Sequence, residues 1–332
     1  MKKLRRQCAT QWRKIVARRE LRKLGNALAA ESLNDRTYFS ILMPGCLHIA
    51  RCAVERFPAS FSLVLIGNGL SHAEEQWCRQ HLSGHKLFST KVVVAHGSII
   101  KVLLQNTRVD FGIIDYDCFI QEPSLLQDLS KFKDGVVLNT AYSYRSADAQ
   151  IELPDTYLLL FKQGLLVDVM RKYGVGPGTY RWSEIPAKAQ VKLRECGYSE
   201  AKLPEAHKDF FDTLRVACIL AECEGYSLGY VERYWGLQGF EAELRAFHIG
   251  NVSSPSPSSN PYVQRGTLFW ALCLFVDQDA ELIGFAEGYF GAERIREIKA
   301  NITVMRDAVS DDFLTFCEGF FGKAALQKVF LD

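Results

Sequence analysis

An α/β protein with a mostly parallel central sheet is what this sequence predicts, on three observations. Short apolar runs rich in β-branched and aromatic residues recur from residue 37 to residue 231, as buried strands do. Between them lie stretches with a helical spacing of apolar residues, and this alternation argues for a sheet covered by helices on both faces. Outside that region the pattern is helical: a basic helix precedes it, and helices fill residues 262–332.

The chain has 332 residues, enough for one large domain or two modest ones, with 48% apolar and 23% charged residues. Its ten cysteines are scattered without a Cys-x-x-Cys pair, and several lie inside apolar runs such as Val216-Ala217-Cys218-Ile219-Leu220. Reduced, buried thiols in a cytoplasmic protein are expected, not a disulfide framework or a zinc site. The longest apolar segment, residues 268–276, is too short to cross a bilayer. The start lacks the apolar core of a signal peptide.

The net charge of +2 hides an asymmetry. Residues 1–24 hold ten Lys or Arg against Glu20 alone, a local charge of +9 that leaves −7 for the rest. Leu4, Cys8, Trp12, Ile15 and Val16 form a narrow apolar stripe at helical spacing within this basic surround. Such a helix fits an anionic membrane surface, with Trp12 at headgroup level. Nucleic acid is not expected as a partner, because no basic patch with interleaved aromatics recurs later.

Residues 38–42 form the first strand candidate, broken by Pro44-Gly45, and Leu47, Ala50, Val54 and Phe57 then follow a helical period. The second strand, 61–66, closes on Gly67-Asn68-Gly69. Ser71 is a good N-cap for a helix over 72–81, with Glu74 and Glu75 in its first turn. A third strand is predicted over 91–95, and His96-Gly97-Ser98 opens a helix carrying Ile99, Val102, Leu103 and Asn106. The fourth strand is 111–114, with further strands over 136–142, 157–161 and 226–231. Residues 145–154 read as a polar surface loop, 163–173 as a helix, and Gly174-Val175-Gly176-Pro177-Gly178 as a plain loop near Tyr180 and Trp182. A helix opening at residues 208–214 runs to about 223. Later helices are predicted over 266–276, 280–290, 292–306 and 311–331. No dinucleotide or phosphate-loop glycine motif is present.

The chemistry concentrates after the fourth strand, in Asp115-Tyr116-Asp117. In extended chain, residues i and i+2 face one side, so both carboxylates can address one small volume. Two hard oxygen donors there suit Mg²⁺ or Mn²⁺ together with nucleotide phosphates. An isolated Asp-x-Asp is more often a polar turn. Here, however, Pro44, Asn68 and Asp115 all follow strands, at the sheet edge where α/β ligands bind. His248 adds a further ligand candidate beside a segment rich in Ser, Pro and Asn, residues 252–261, which fits a lid over substrate.

With these residues placed, the chain resembles metal-dependent nucleotide-sugar glycosyltransferases of the GT-A fold over roughly residues 37–252. The succession from His96-Gly97 to Cys118 is similar to that family's glycine-containing helix, strand and Asp-x-Asp. The resemblance implies a Rossmann-like GT-A sandwich, with residues 1–36 as a basic N-terminal helix, 253–261 as a flexible loop and 262–332 as a C-terminal helical appendage. It implies that Asp115 approaches the ribose or metal, that Asp117 and His248 ligate the metal, and that Pro44 and Asn68 meet the nucleotide base. His96 and Gly97 belong to the same donor site, and Asp212, or else Asp209, resembles the late acidic position that deprotonates an acceptor hydroxyl.

The implied activity is transfer of a sugar, a hexose by preference, from a nucleotide sugar to a carbohydrate, lipid-linked or protein hydroxyl, as in polysaccharide or glycoconjugate biosynthesis. The implied location is the cytoplasm, peripheral to a membrane. Two rivals share the strand and Asp-x-Asp pattern: a haloacid-dehalogenase-type phosphohydrolase, and a non-catalytic binding protein that keeps the fold.

Overall fold

The computed structural model describes residues 2–141, 143–144, 153–201, 210–231, 245–250, 255–256 and 260–331. Of the expected segments, most of the 145–154 loop, most of the 252–261 loop, the side chains of Leu4 and Cys8, and Asp209 lie outside the described residues.

A long helix α1 (Lys2–Ala29) leads into β1 (Thr37–Leu42), α2 (Leu47–Glu55), β2 (Ser62–Asn68), α3 (His72–His81), β3 (Lys86–Thr90), α4 (His96–Asn106) and β4 (Phe111–Ile114). Next come β5 (Cys118–Ile120), α5 (Ser124–Leu129), β6 (Val136–Thr140), β7 (Ser143–Tyr144), β8 (Leu153–Pro154) and β9 (Leu158–Phe161). The chain continues through α6 (Leu165–Tyr173), α7 (Ala187–Glu195), α8 (Arg215–Cys223), β10 (Ser227–Tyr230) and β11 (Ala246–His248). Six helices complete it: α9 (Pro261–Phe275), α10 (Ala280–Phe290), α11 (Ala292–Ala300), α12 (Ile302–Asp307), α13 (Asp311–Phe321) and α14 (Lys323–Leu331).

Seven strands form one sheet in the order β10-β6-β9-β4-β1-β2-β3. Only β9 runs antiparallel, against β4 and β6, so the sheet is mostly parallel as expected. Alternate residues feed two cores. Tyr38, Leu42, Leu63, Leu65 and Ile114 face one, while Phe39, Ile41, Val64, Ile66 and Ile113 face the other. That period of two, apolar on both faces, is the signature of a doubly covered sheet. The order β3-β2-β1-β4 is a Rossmann-like half, and the chain reverses its direction of travel between β1 and β4. A crevice opens at such a reversal, beyond the carboxyl ends of the strands. Gly112 is required where β4 passes β1, because a Cβ there would lie 2.1 Å from the Tyr38 ring.

Several boundaries differ from expectation for local reasons. The third strand is Lys86–Thr90, paired to β2, and not residues 91–95. The apolar run Val92–Val94 is instead fastened by a side chain: Asn68 Oδ1 accepts from the Val94 N–H at 2.8 Å, and its Nδ2 donates to the Val94 carbonyl at 3.0 Å. The helix expected from residue 208 begins only at Arg215, because Leu214 takes the left-handed region at φ 67°. Gly291 and Gly322, with positive φ, separate α10 from α11 and α13 from α14, and a break at Asn301 divides α11 from α12. The predicted Ser71 cap is present as a capping box with Glu74.

The C-terminal helices share a core with the sheet. Residues 268–274 of α9 are almost wholly buried and join Tyr38, Leu65 and Phe119 in one apolar cluster. The second half of α1 is equally integrated, with Leu24 and Leu28 buried and Glu20 accepting from the Lys91 N–H at 3.1 Å. Its first half leaves Trp12 and Ile15 exposed at 64% and 63%. Among the described residues, no helix is long and apolar enough to cross a membrane. Among the described side chains seven cysteines are free and buried, as expected, but Cys196 and Cys223 form a disulfide joining the ends of α7 and α8, which the scattered spacing did not predict.

Candidate metal and diphosphate site

The Asp-x-Asp turn is held by the strand that precedes it and the strand that follows. β4 ends at Ile114, and the Asp115 N–H extends its ladder by donating to the Tyr157 carbonyl at 2.8 Å. The Cys118 N–H then turns back onto the Asp115 carbonyl at 2.9 Å, and the chain enters β5. β5 pairs antiparallel with β11, which sets Cys118 opposite His248. The Ile249 N–H closes this small sheet on the Asp117 carbonyl at 3.2 Å. A residue far along the chain is thereby fixed against the turn.

His248 Nε2 lies 3.4 Å from Asp117 Oδ2 and 4.0 Å from Asp115 Oδ2. One ligand atom from each of the three residues fits within 4.8 Å of the others. Asp117 is buried, whereas Asp115 and His248 keep partial exposure. The Tyr157 ring stacks on the imidazole at 4.2 Å between centroids and 7° between planes, limiting the plane the ring can adopt. Burial alone would push His248 down, but the carboxylates of Asp117, Asp115 and Asp155 outweigh it and hold the imidazole above its ordinary value. Burial pushes the Asp115 carboxyl up; His96 opposes this, and the Asp117 charge adds to it. Two neighbouring carboxylates beside a fixed imidazole form a donor set that suits a divalent cation.

The other face of Asp115 meets α4. His96, the first residue of that helix, has Nε2 3.8 Å from Asp115 Oδ1. Ala95 supplies no side-chain cap and the first turn holds no acid, so the helix start that carries His96 has no internal anion of its own. Gly97 is buried against the glycine loop: a Cβ there would lie 2.7 Å from Gly178 Cα and 3.0 Å from the Pro177 carbonyl oxygen. Pro177 in turn accepts from the Leu214 N–H at 2.9 Å. Leu214 is thereby tied to the loop that packs on Gly97, and Asp212 lies two residues before it, ahead of α8 and not at its first turn. Its Oδ1 accepts from the Thr213 N–H at 2.7 Å.

Pro44 follows β1 and Asn68 ends β2 at the same sheet edge, and both are buried. The Asn68 amide is committed to Val94, so it shapes the wall behind α4. The adjoining loops are tied by the buried Glu74 carboxylate, which accepts from the Gly45 N–H at 2.7 Å and the Ser71 N–H at 2.8 Å. Sequence patterning read Tyr157 only as the start of a strand and residues 174–178 only as a plain loop, and it did not show this second use of Glu74. Each depends on strand pairing or on loop-to-loop contact, for which a single sequence carries no periodic signal.

Residues 15–166 match the model of the StrH glycosyltransferase N-terminal domain. The matched stretch contains Pro44, Asn68, His96, Gly97, Asp115, Asp117 and Tyr157. That match covers less than half of the chain. A curated relative from Streptomyces griseus, dTDP-dihydrostreptose–streptidine-6-phosphate dihydrostreptosyltransferase, is 26% identical over 148 residues. That alignment covers 44% of this chain and only 38% of the relative. Among solved structures, loose likenesses include glucosyl-3-phosphoglycerate synthase from Mycobacterium tuberculosis, with a TM-score of 0.36 and 11% identity over 75% of this chain and 80% of that one. A nucleotide-diphospho-sugar transferase structure from Desulfovibrio desulfuricans has a TM-score of 0.37 and 10% identity over 84% and 100% of the two chains. The glycosyltransferase match and the added imidazole do not favour the phosphohydrolase rival.

Proposed function

We propose that this protein transfers a sugar, a hexose by preference, from a nucleotide-diphosphate donor to a hydroxyl acceptor. The observation that carries the reading is the convergence of Asp115, Asp117 and His248 at the reversal point of the sheet. Asp117 and His248 would hold a divalent cation, with Asp115 completing the set or addressing the ribose. The imidazole nitrogen favours Mn²⁺ over Mg²⁺, which prefers oxygen donors. Bound there, the cation supplies the Lewis acidity that a departing nucleoside diphosphate needs.

The chain's own groups account for the remaining roles. The amide end of α4, at His96 and Gly97, points its dipole at the place where a phosphate would rest beside the carboxylate turn. Pro44, buried just after β1, would border the nucleoside base, and Asn68 keeps the neighbouring wall in place. Asp212 is the better candidate for deprotonating an acceptor hydroxyl; the strained Leu214 two residues later fits a segment fixed for function. Asp209 is the second candidate for that role. Residues 37–252 would carry the transferase unit, with 253–261 as its loop. The acceptor is a carbohydrate, lipid-linked or protein hydroxyl, in the biosynthesis of a polysaccharide or glycoconjugate. Work in the cytoplasm beside an anionic membrane is supported by the basic residues 1–24 and the exposed Trp12 and Ile15.

A panel of dTDP-, UDP-, GDP- and ADP-sugars, with and without Mn²⁺, tests this reading through thermal stabilisation of the full chain. The relative's use of a dTDP-sugar makes that nucleotide the first to try. Stabilisation that needs both nucleotide and metal supports the transferase. Stabilisation by simple phosphate esters alone would point to the phosphohydrolase.

A further inference from the structure

The C-terminal helices enclose a groove far along the chain from the carboxylate turn. Its larger lobe, 420 Å³, is floored by Phe275, Ile283 and Ile295, and its smaller lobe, 340 Å³, by Ile302 and Phe330. Arg296, Lys299 and Val329 line both lobes, which makes them one continuous depression. The smaller lobe has two cations and the Thr303 hydroxyl in its wall and no carboxylate. Glu287 lines the larger lobe only.

Neither cation is used by the fold as an ion-pair partner among the described residues. Arg296 donates only to the Ala292 carbonyl of its own helix, at 3.4 Å, and Lys299 sits with Nζ 5.6 Å from the centroid of the Phe275 ring. Gly284 supplies a separate observation. It lies mid-helix in α10 and lines the larger lobe, yet a Cβ there would meet nothing within 4 Å. Glycine in a helix interior costs about 1 kcal/mol against alanine. Internal packing does not require it here, and its effect is to keep the lobe open.

We propose that this groove binds an amphiphile with an anionic head, phosphate or carboxylate, and an apolar chain. The head lies between Arg296 and Lys299 with Thr303 beside it, and the chain runs over Phe275, Ile283 and Ile295 past Gly284. The charges select the head, since charge-assisted hydrogen bonds from two cations are strong, and in the smaller lobe, unlike the larger one with Glu287, no carboxylate lines the wall beside them. The apolar floor gives the chain a surface that a bare phosphate would not use. The proposal is independent of the sugar-transfer reading.

Isothermal titration of the full chain with decyl phosphate, inorganic phosphate and decanol tests it. Decyl phosphate should bind more tightly than either fragment. The double variant Arg296→Gln/Lys299→Gln should weaken it by about tenfold or more. Gly284→Leu should weaken it comparably while keeping or raising the melting temperature, which separates filling the groove from unfolding it. Absence of decyl phosphate binding, equal binding in all variants, or inorganic phosphate binding as tightly as decyl phosphate would overturn the proposal. Sedimentation with phosphatidylglycerol vesicles identifies the source of the head. Vesicle binding lost in the double variant assigns a membrane lipid. Vesicle binding that is absent, or that survives the double variant while decyl phosphate binding does not, assigns a soluble amphiphile.

Discussion

Replacing Gly97 by alanine should damage the site more than it damages the fold. The new Cβ would sit 2.7 Å from Gly178 Cα and 3.0 Å from the Pro177 carbonyl oxygen, both backbone atoms that no rotamer change can move. Ordinary carbon contacts need roughly 3.5–4.0 Å, so α4 and the glycine loop must part by about 1 Å. Overpacking of this kind costs about 1–3 kcal/mol, offset by up to about 1 kcal/mol from alanine's better helix propensity. The net loss is on the order of 1–2 kcal/mol, which lowers the melting temperature by a few degrees. Activity should fall further, roughly a hundredfold, because a 1 Å displacement at a reacting centre costs that much. Gly178→Ala is the matched control, since a Cβ there meets nothing within 4 Å. Melting curves and metal-dependent donor hydrolysis read both quantities. A Gly97→Ala variant with wild-type stability and turnover would refute the close packing of α4 on this loop and its role in seating the site.

Three other outcomes follow from buried groups and from the N-terminal helix. Asn68→Asp should destabilise by about 1–3 kcal/mol in urea unfolding, because a carboxylate oxygen would replace the amide donor facing the Val94 carbonyl. His48 is fully buried with neither ring nitrogen hydrogen-bonded, and burial pushes it down to about 3. Its folded value lies below the unfolded one, so the stability it confers by staying neutral is complete above about pH 6.5 and is lost as pH falls toward 3. Between pH 7.5 and 5 the wild type should lose about 2 kcal/mol more than His48→Leu, and parallel urea curves for the two would contradict this. Deleting residues 1–14 should leave the melting temperature unchanged and reduce binding to anionic liposomes. A deletion that extends through Leu24 should also destabilise the fold, since Glu20 and Leu24 are buried.

The amino-acid pattern carried the parallel sheet and the carboxylate turn, because both write themselves into local periodicity and residue type. Four of the first elements, β1, β2, α3 and α4, lie close to their expected positions for this reason, and Ser71 with Glu74 marked the α3 start directly. The third strand was misplaced because only Leu87 and Phe88 of residues 86–90 are apolar, while Val92–Val94 look like a strand and are held by a side-chain amide. β5 and β11 have three residues each, too few to show a period, yet they are what bring His248 to Asp117. The late start of α8 depended on one left-handed leucine, which no propensity announces. Asp115, Asp117 and His248 could therefore be nominated together through the family resemblance, but the β5–β11 pairing that brings them together could not be read from the sequence.

The central claim is that Asp117 and His248 hold a divalent cation for a nucleotide-sugar donor. Asp117→Ala tests it cleanly, because the Asp117 carbonyl that accepts from Ile249 remains in the variant. Release of nucleoside diphosphate from a stabilising nucleotide sugar should be measured for both proteins after chelation and after Mn²⁺ is restored. The wild type should lose turnover with EDTA and regain it with Mn²⁺, while folded Asp117→Ala shows less than about a hundredth of that rate at any metal concentration. Undiminished, metal-stimulated turnover in Asp117→Ala would contradict the account.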